Sequence, residues 1–238
     1  PIDAFELGDD NLTIELWARS PMIFSPVAMD FDAQGRLWLT EGIDYQRGLR
    51  TEGGRSIMVL EDKDWDGKAD SSHVFVTDPD IRHAALGIAV FDNRIVLSST
   101  PSIIVYTDVN RNAVFDEGID KREVFLTGFR DASHDHTLHA VVGAPSGQWH
   151  FSYGNRGADI KTKDGRHHIS GCYYGYSDGI GKKSSDGEVY VGGMTMRVNP
   201  DGTGLTPTGE NMRNSHDMFV SSFGDIYQSD NDDPAHAR

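Results

Sequence analysis

The sequence predicts an all-β fold, a β-propeller built from four-stranded antiparallel blades. Three observations predict it. Four hairpin-like cores recur along the chain, a second hairpin follows each of the first three, and 26 glycines in 238 residues supply the tight turns such a chain needs. A sandwich would also give short strands, but not this ordered recurrence.

Taken in order, the cores are VAMDFDAQGRLWLTE (27–41), LGIAVFDNRIVLSST (86–100), LHAVVGAPSGQWHFSYG (138–154) and MFVSSFGDIYQSD (218–230). Each has an apolar strand, a polar turn, and a strand of alternating aromatic or aliphatic residues, the pattern of a hairpin. Their turn residues Gly35, Asn93, Gly147 and Gly224 stand 58, 54 and 77 positions apart. The second hairpins are SIMVL (56–60) with HVFVT (73–77), then SIIVYT (102–107) with REVFLTG (122–128). In the third unit MTMRV (194–198) turns through Asn199-Pro200-Asp201-Gly202 and continues toward Gly209.

These elements divide the chain. Residues 1–20 form an N-terminal segment in which LTIELWA (12–18) reads as an outer strand. Residues 21–238 form a partial propeller, with units at about 21–80, 81–130, 131–210 and 211–238. That is about three and a half blades, whereas propellers close with about 4–8. Open sheet edges invite pairing, so the chain reads as part of a six-bladed ring completed by the rest of its own polypeptide. The longest departure from the repeat, 155–193, reads as an extended loop over one face of the ring.

Composition excludes some partners. With Lys and Arg at 22 and Asp and Glu at 37, the net charge is −15, which repels nucleic acid and anionic lipid. The single cysteine, Cys172, rules out an internal disulfide and any CxxC site. No apolar run reaches membrane-spanning length and residues 1–10 show no signal-peptide pattern, so the chain as given reads as soluble, with no membrane span.

Two acidic loops join the outer strands. In the first, Asp62, Asp64, Asp66 and Asp70 fall at positions 1, 3, 5 and 9, with Gly67 at position 6 and the carbonyl of Lys68 between. Calcium is bound by several hard oxygens on a tight loop, and this spacing supplies them. Position 12 is His73 rather than Glu, and strands flank the loop, so it is not an EF-hand. The second loop, Asp108, Asn110, Asn112, Val114 and Asp116, keeps the spacing but has Ala113 at position 6. The alternative is a pair of solvated Asx turns. In either case the loops would brace outer hairpins.

The strongest catalytic suspicion falls on His134, His136 and His139, three histidines within six residues at the entry to the third core. Imidazole exchanges a proton near neutral pH or binds a metal. The three could also be transition-metal ligands, or hydrogen-bond backbone in a wet turn. His167, His168, Tyr173, Tyr174 and Tyr176 read as loop packing.

Five pieces of sequence carry a resemblance. They are P-x-A-M-x-F-D-x-x-G-R-L-W-x-x-E (26–41), L-E-D-x-D-x-D-G-K-A-D (60–70), H-x-x-H-x-x-x-x-x-P-x-G (136–147), R-V-N-P-D-G-T-G-L (197–205) and R-N-x-x-D-x-x-x-x-x-F-G-D-I-Y-x-S-D-N-D (213–232). In this order they resemble the propeller domain of the membrane-bound dehydrogenases of planctomycete-type bacteria. Those are similar in turn to soluble pyrroloquinoline-quinone (PQQ)-dependent sugar (aldose) dehydrogenases. The resemblance implies an exported, periplasmic or secreted, oxidoreductase domain that oxidises a sugar or other alcohol. It implies His136 as general base, Arg213 and Asn214 beside cofactor and substrate, and Asp230, Asn231 and Asp232 near a cofactor calcium. Calcium there would act as a Lewis acid on the quinone. A c-type cytochrome, or the rest of its own polypeptide, would take the electrons. There is no CxxCH haem motif in the chain.

Two other readings stand beside it. A calcium-dependent propeller lactonase or esterase would hold one metal at the ring centre, with Glu41, Asn155 and Asp217 as the available ligands. A non-catalytic, calcium-braced binding scaffold would need neither. Fold alone does not choose.

Overall fold

The computed structural model describes residues 4–42, 55–81, 85–130, 136–171 and 179–231. The first sheet is an antiparallel meander of β1 (Pro26–Phe31), β2 (Leu37–Glu41), β3 (Arg55–Glu61) and β4 (Ser71–Asp78). The second follows the same order with β5 (Gly87–Phe91), β6 (Arg94–Ser99), β7 (Ser102–Thr107) and β8 (Lys121–Phe129). The third sheet begins with β9 (Leu138–Gly143) and β10 (Trp149–Tyr153). It is finished by β14 (Gly193–Val198) and β15 (Thr206–Met212). A fourth starts with the hairpin β16 (Met218–Val220) and β17 (Ile226–Gln228).

The innermost strands lie side by side, β5 against both β1 and β9, and β9 against β16. Together they surround a cavity of about 620 Å³ lined by residues 27–30, 86–89, 91, 140–143 and 216–218. Four-stranded meanders whose first strands face one cavity are successive blades of a propeller, as the sequence predicts.

Apolar faces between adjacent sheets make the core. Between the first and second sheets pack Trp38, Phe75, Ile95, Leu97, Ile104 and Tyr106. Between the second and third, Phe129 meets Phe151 and Tyr153 edge-on at 5.6 Å, the geometry aromatic quadrupoles favour. Each of these side chains contributes about 1.5–3 kcal/mol by leaving water.

Among the described residues, 12–18 pair with no sheet, and Trp17 C=O accepts one bond, from Ala69 N–H at 2.8 Å. One expectation needs correction. The 155–193 stretch is no loop over the ring. It forms β11 (Ala158–Lys161), β12 (His167–Gly171) and β13 (Tyr190–Val191), which extend the second sheet beyond β8 to seven strands. Ala158 and Ile160 alternate inward along β11, enough for a short strand once β8 offers an open edge. His167 and His168 lie on β12, the first beside Asp159 and the second buried; Cys172, Tyr173, Tyr174 and Tyr176 lie outside the described residues.

Candidate functional site

The site forms where the third blade meets the fourth. His136 stands just before β9 and is buried. Backbone bonds pin it across the hairpin, from Gly154 N–H to Thr137 C=O at 2.7 Å and from Arg156 N–H to His136 C=O at 3.3 Å. Between those two donors sits Asn155, which has no exposure at all. Its backbone N–H donates to Arg213 C=O at 2.8 Å, and its Oδ1 accepts from His136 Nδ1 at 2.8 Å. Asn155 therefore ties His136 to the 213–214 turn. Both oxygens of Asp230 accept from that turn, taking Arg213 N–H at 2.8 Å and Asn214 N–H at 2.7 Å.

The tautomer follows from these contacts. An amide oxygen only accepts, so Nδ1 carries a proton, and in a neutral imidazole the lone pair then falls on Nε2. Asn155 Nδ2 is buried with no hydrogen-bond partner among the described residues. Nearby, His139 Nε2–H donates to Asn214 Oδ1 at 2.6 Å, and its ring lies 5.0 Å from that of His216. His216 lines the central cavity.

The structure thus brings His136, Arg213 and Asn214 together and gives Asp230 the task of bracing the turn. His134 and Asp232 lie outside the described residues. His136 and His139 are each engaged by a different asparagine. The three residues of the lactonase reading each hold a local bond. Glu41 Oε1 takes Phe24 N–H at 2.9 Å, Asp217 Oδ1 takes Met218 N–H at 2.8 Å, and Asn155 Oδ1 is on His136. Sequence reasoning missed Asn155 as the partner of His136, and missed His216. The available signal was a Gly-Asn pair directly after an aromatic strand, where the chain must turn beside the preceding hairpin.

The acidic loops differ in how they satisfy themselves. In the first, oxygens of Asp62, Asp64 and Asp70 lie within 4.8 Å of one another, the one such cluster of carboxylate, His or Cys groups among the described residues. Three carboxylates this close repel by about 1 kcal/mol per pair even in water. Asp62 Oδ1 is buried without a hydrogen-bond partner among the described residues. That is a donor set suited to a hard cation. Asp66 is outside the trio; its N–H donates to Asp64 Oδ1 at 3.2 Å.

In the second loop amide donors fill the same space. Asn110 and Asn112 both donate to Asp116 Oδ2, at 2.7 and 2.8 Å, and together they hold its carboxyl below the usual carboxylate range. Asp108 takes the N–H groups of Asn112 and Ala113, and Val114 N–H goes to Asn112 Oδ1. Asp120, beyond the spacing read from the sequence, takes the N–H groups of Val109 and Asp116.

Fold and site together define an arc of a β-propeller whose buried histidines reach its central cavity through His216. The chain belongs to the family described as Domain of unknown function (DUF7133), which matches residues 2–237. No curated protein matches it in sequence. Among solved structures it is similar to the iodide structure of Carbohydrate-Active Enzymes Family AA12 from Trichoderma reesei. The TM-score is 0.55 at 13% identity, over 90% of this chain and 47% of that one. It is also similar to the holo form of the pyranose dehydrogenase PQQ domain from Coprinopsis cinerea, with TM-score 0.53 at 16% identity over 87% and 43%. The calcium structure of the Trichoderma reesei AA12 protein gives TM-score 0.50 at 11% identity over 85% and 44%. The chain spans less than half the length of these structures, and at such identities the likeness is one of fold. No helix among the described residues is long and apolar enough to cross a membrane.

Proposed function

We propose that this chain is part of an exported, periplasmic or secreted, quinone-dependent oxidoreductase that oxidises a sugar or other alcohol, with His136 as general base. One observation carries the reading: a buried imidazole whose Nδ1–H is committed to Asn155, beside the Arg213–Asn214 turn. The named neighbours, a family of carbohydrate-active enzymes and the PQQ domain of a pyranose dehydrogenase, agree with it at the level of fold.

The donor set suits a carboxylated quinone. Arg213 offers a guanidinium, Asn214 keeps its amide N–H groups because its oxygen is on His139, and Asn155 Nδ2 is a buried donor without a partner among the described residues. When bound, PQQ supplies the two-electron acceptor for the hydride that leaves the substrate carbon. His136 Nε2 takes the proton of the hydroxyl on that carbon, and the O–H bonding pair becomes the second bond of the carbonyl product. Asn155 keeps the imidazole in the tautomer that can accept that proton and stabilises the imidazolium that forms. A c-type cytochrome or the rest of its own polypeptide is the final electron acceptor. Calcium at Asp62, Asp64 and Asp70 is structural, since that loop lies between outer strands.

The test uses the full-length protein with PQQ and calcium, followed by quinone absorbance and by dye reduction with aldoses. His136→Gln should still perturb the quinone spectrum but lose about 10²–10⁴-fold in kcat. Undiminished dye reduction by His136→Gln removes the base assignment. An unchanged quinone spectrum with the unsubstituted protein removes the cofactor.

A further inference from the structure

The two acidic loops expose a correspondence between the first blade and the N-terminal segment. Aligned by their first aspartates, Asp62 and Asp108, the loops match Gly67 with Ala113 and Ala69 with Phe115. The second loop reaches back to β4, the outermost strand of the preceding blade. Phe115 N–H donates to Phe75 C=O at 2.9 Å, and His73 Nε2 bonds Ala113 C=O at 2.9 Å. The first loop makes the same reach to residues 12–18. Ala69 N–H donates to Trp17 C=O at 2.8 Å, and Glu15 Oε2 lies 3.5 Å from where a Cβ on Gly67 would stand.

Packing repeats the pattern. Phe75 and Val76 pack into the cluster that holds Ile95, Leu97 and Tyr106. Trp17 and Ala18 pack into the cluster of Leu37, Leu39 and Leu60, which are the same blade positions one unit earlier. Residues 15, 17 and 18 therefore stand to the first blade as 73, 75 and 76 stand to the second. Yet β4 edges a four-stranded sheet, whereas 12–18 edges none among the described residues. Leu12, Ile14 and Leu16 alternate along it and are 58%, 36% and 50% exposed, an apolar period-two edge of the kind that recruits another strand.

We propose that residues 12–18 are the outermost strand of a further blade, whose three inner strands come from the rest of the same polypeptide and so seal the ring. The occupant follows from the interface already present between the first two blades, where the strand in this position belongs to a complete sheet. A second copy pairing through the same segment would make only a two-stranded ribbon, which is marginal in water. Structures that share the fold are also more than twice as long as the part this chain covers.

Amide hydrogen exchange on residues 1–238 alone and on the natural full-length polypeptide tests this, with the mass of each species measured alongside. In the full-length monomer the amides of residues 13–18 should exchange about a hundredfold more slowly than in the 238-residue chain. Equal exchange in both overturns the proposal. So does protection that arises in the 238-residue chain only as it dimerises, because the occupant is then a second copy.

Discussion

At the scale of single residues, Gly154 decides whether the site exists. A Cβ there would stand 2.6 Å from Asn214 Oδ1 and 2.8 Å from the Cα and C of His136, contacts no real side chain makes. Two of the three atoms are backbone, so the strand entry itself would have to shift. Gly154→Ala should therefore separate His136 from the 213–214 turn and, on the proposed function, lower quinone-dependent dye reduction by about 10²-fold, in line with a misplacement of about 1 Å. Overpacking of this size also costs about 1–3 kcal/mol, read as a drop of a few degrees in Tm. A variant with wild-type kcat would mean that the close approach of the His136 backbone and Asn214 to Gly154 is dispensable. Other residues of the resembling motifs turn out to build the fold. Asp32 accepts Gln34 N–H, Arg36 N–H, Arg36 Nε and Trp38 Nε1, which explains D-x-x-G-R-L-W as a closed β1–β2 turn and not as chemistry.

At the scale of elements, the acidic loops share one backbone path. Positions 4 and 6 have positive φ in both, 60° and 86° at Trp65 and Gly67, 61° and 60° at Arg111 and Ala113. Ala113 accepts that conformation because its carbonyl is held by His73 and its N–H by Asp108. What differs is the filling. In the first loop Asp62, Asp64 and Asp70 each accept one backbone N–H, from Gly67, Asp66 and Lys63, and Asp62 Oδ1 has no partner among the described residues. In the second, asparagine side-chain amides also reach Asp116. A cation present at about 100 Kd would stabilise the first by about 2.7 kcal/mol. Excess chelator should then lower Tm by roughly 5–10 °C. Asp64→Asn should lower Tm in calcium and leave little for chelator to remove. Calorimetry with and without chelator reads both, and an unmoved Tm for the unsubstituted chain sinks the structural cation. The alternating Asp spacing was legible in the sequence. The difference between the loops was not, because it rests on which oxygens meet amide donors, and Asp120 lies outside the repeat. Likewise β11 to β13 were hidden, since strands of two to five residues become recognisable only against the open edge of β8, some thirty residues away.

At the scale of the whole molecule, four hairpin cores were enough to foresee blades around a cavity, and that order sets the loop carrying His136 next to the 213–214 turn, with Asn155 between them. The pairing of His136 with Asn155 does not follow from that order, because it depends on burial that no local pattern encodes. Burial of other imidazoles has a global consequence. His150, opposite Arg197 on β14, is pushed below its ordinary value of 6.5 by burial and then by that guanidinium. His168 is pushed down by burial, with Asp186 3.8 Å away partly opposing. Both stay neutral in the fold at a pH where the unfolded chain already binds a proton. The unfolded state then holds more protons, so stability falls as pH drops below 6.5, by at most about 1.4 kcal/mol per pH unit for each imidazole. Self-repulsion at a net charge of −15 works the other way, relaxing as pH approaches the isoelectric point near 4.9. Salt separates the two, since exposed charges beyond about 8 Å are screened at about 0.15 M while the buried imidazoles are not. The carboxylates of Asp32 and Asp78 enter only at lower pH. Burial alone would raise both, but hydrogen bonds from Trp38 and Arg36 to the first, and from Arg122 and Tyr106 to the second, hold them below the usual carboxylate range. Above that ionic strength Tm should therefore fall between about pH 7 and 5.5 through the imidazoles. A His150→Gln, His168→Gln double variant should flatten that limb, and a Tm that rises through this window in high salt would show that surface repulsion, not imidazole burial, governs the acid side of the fold.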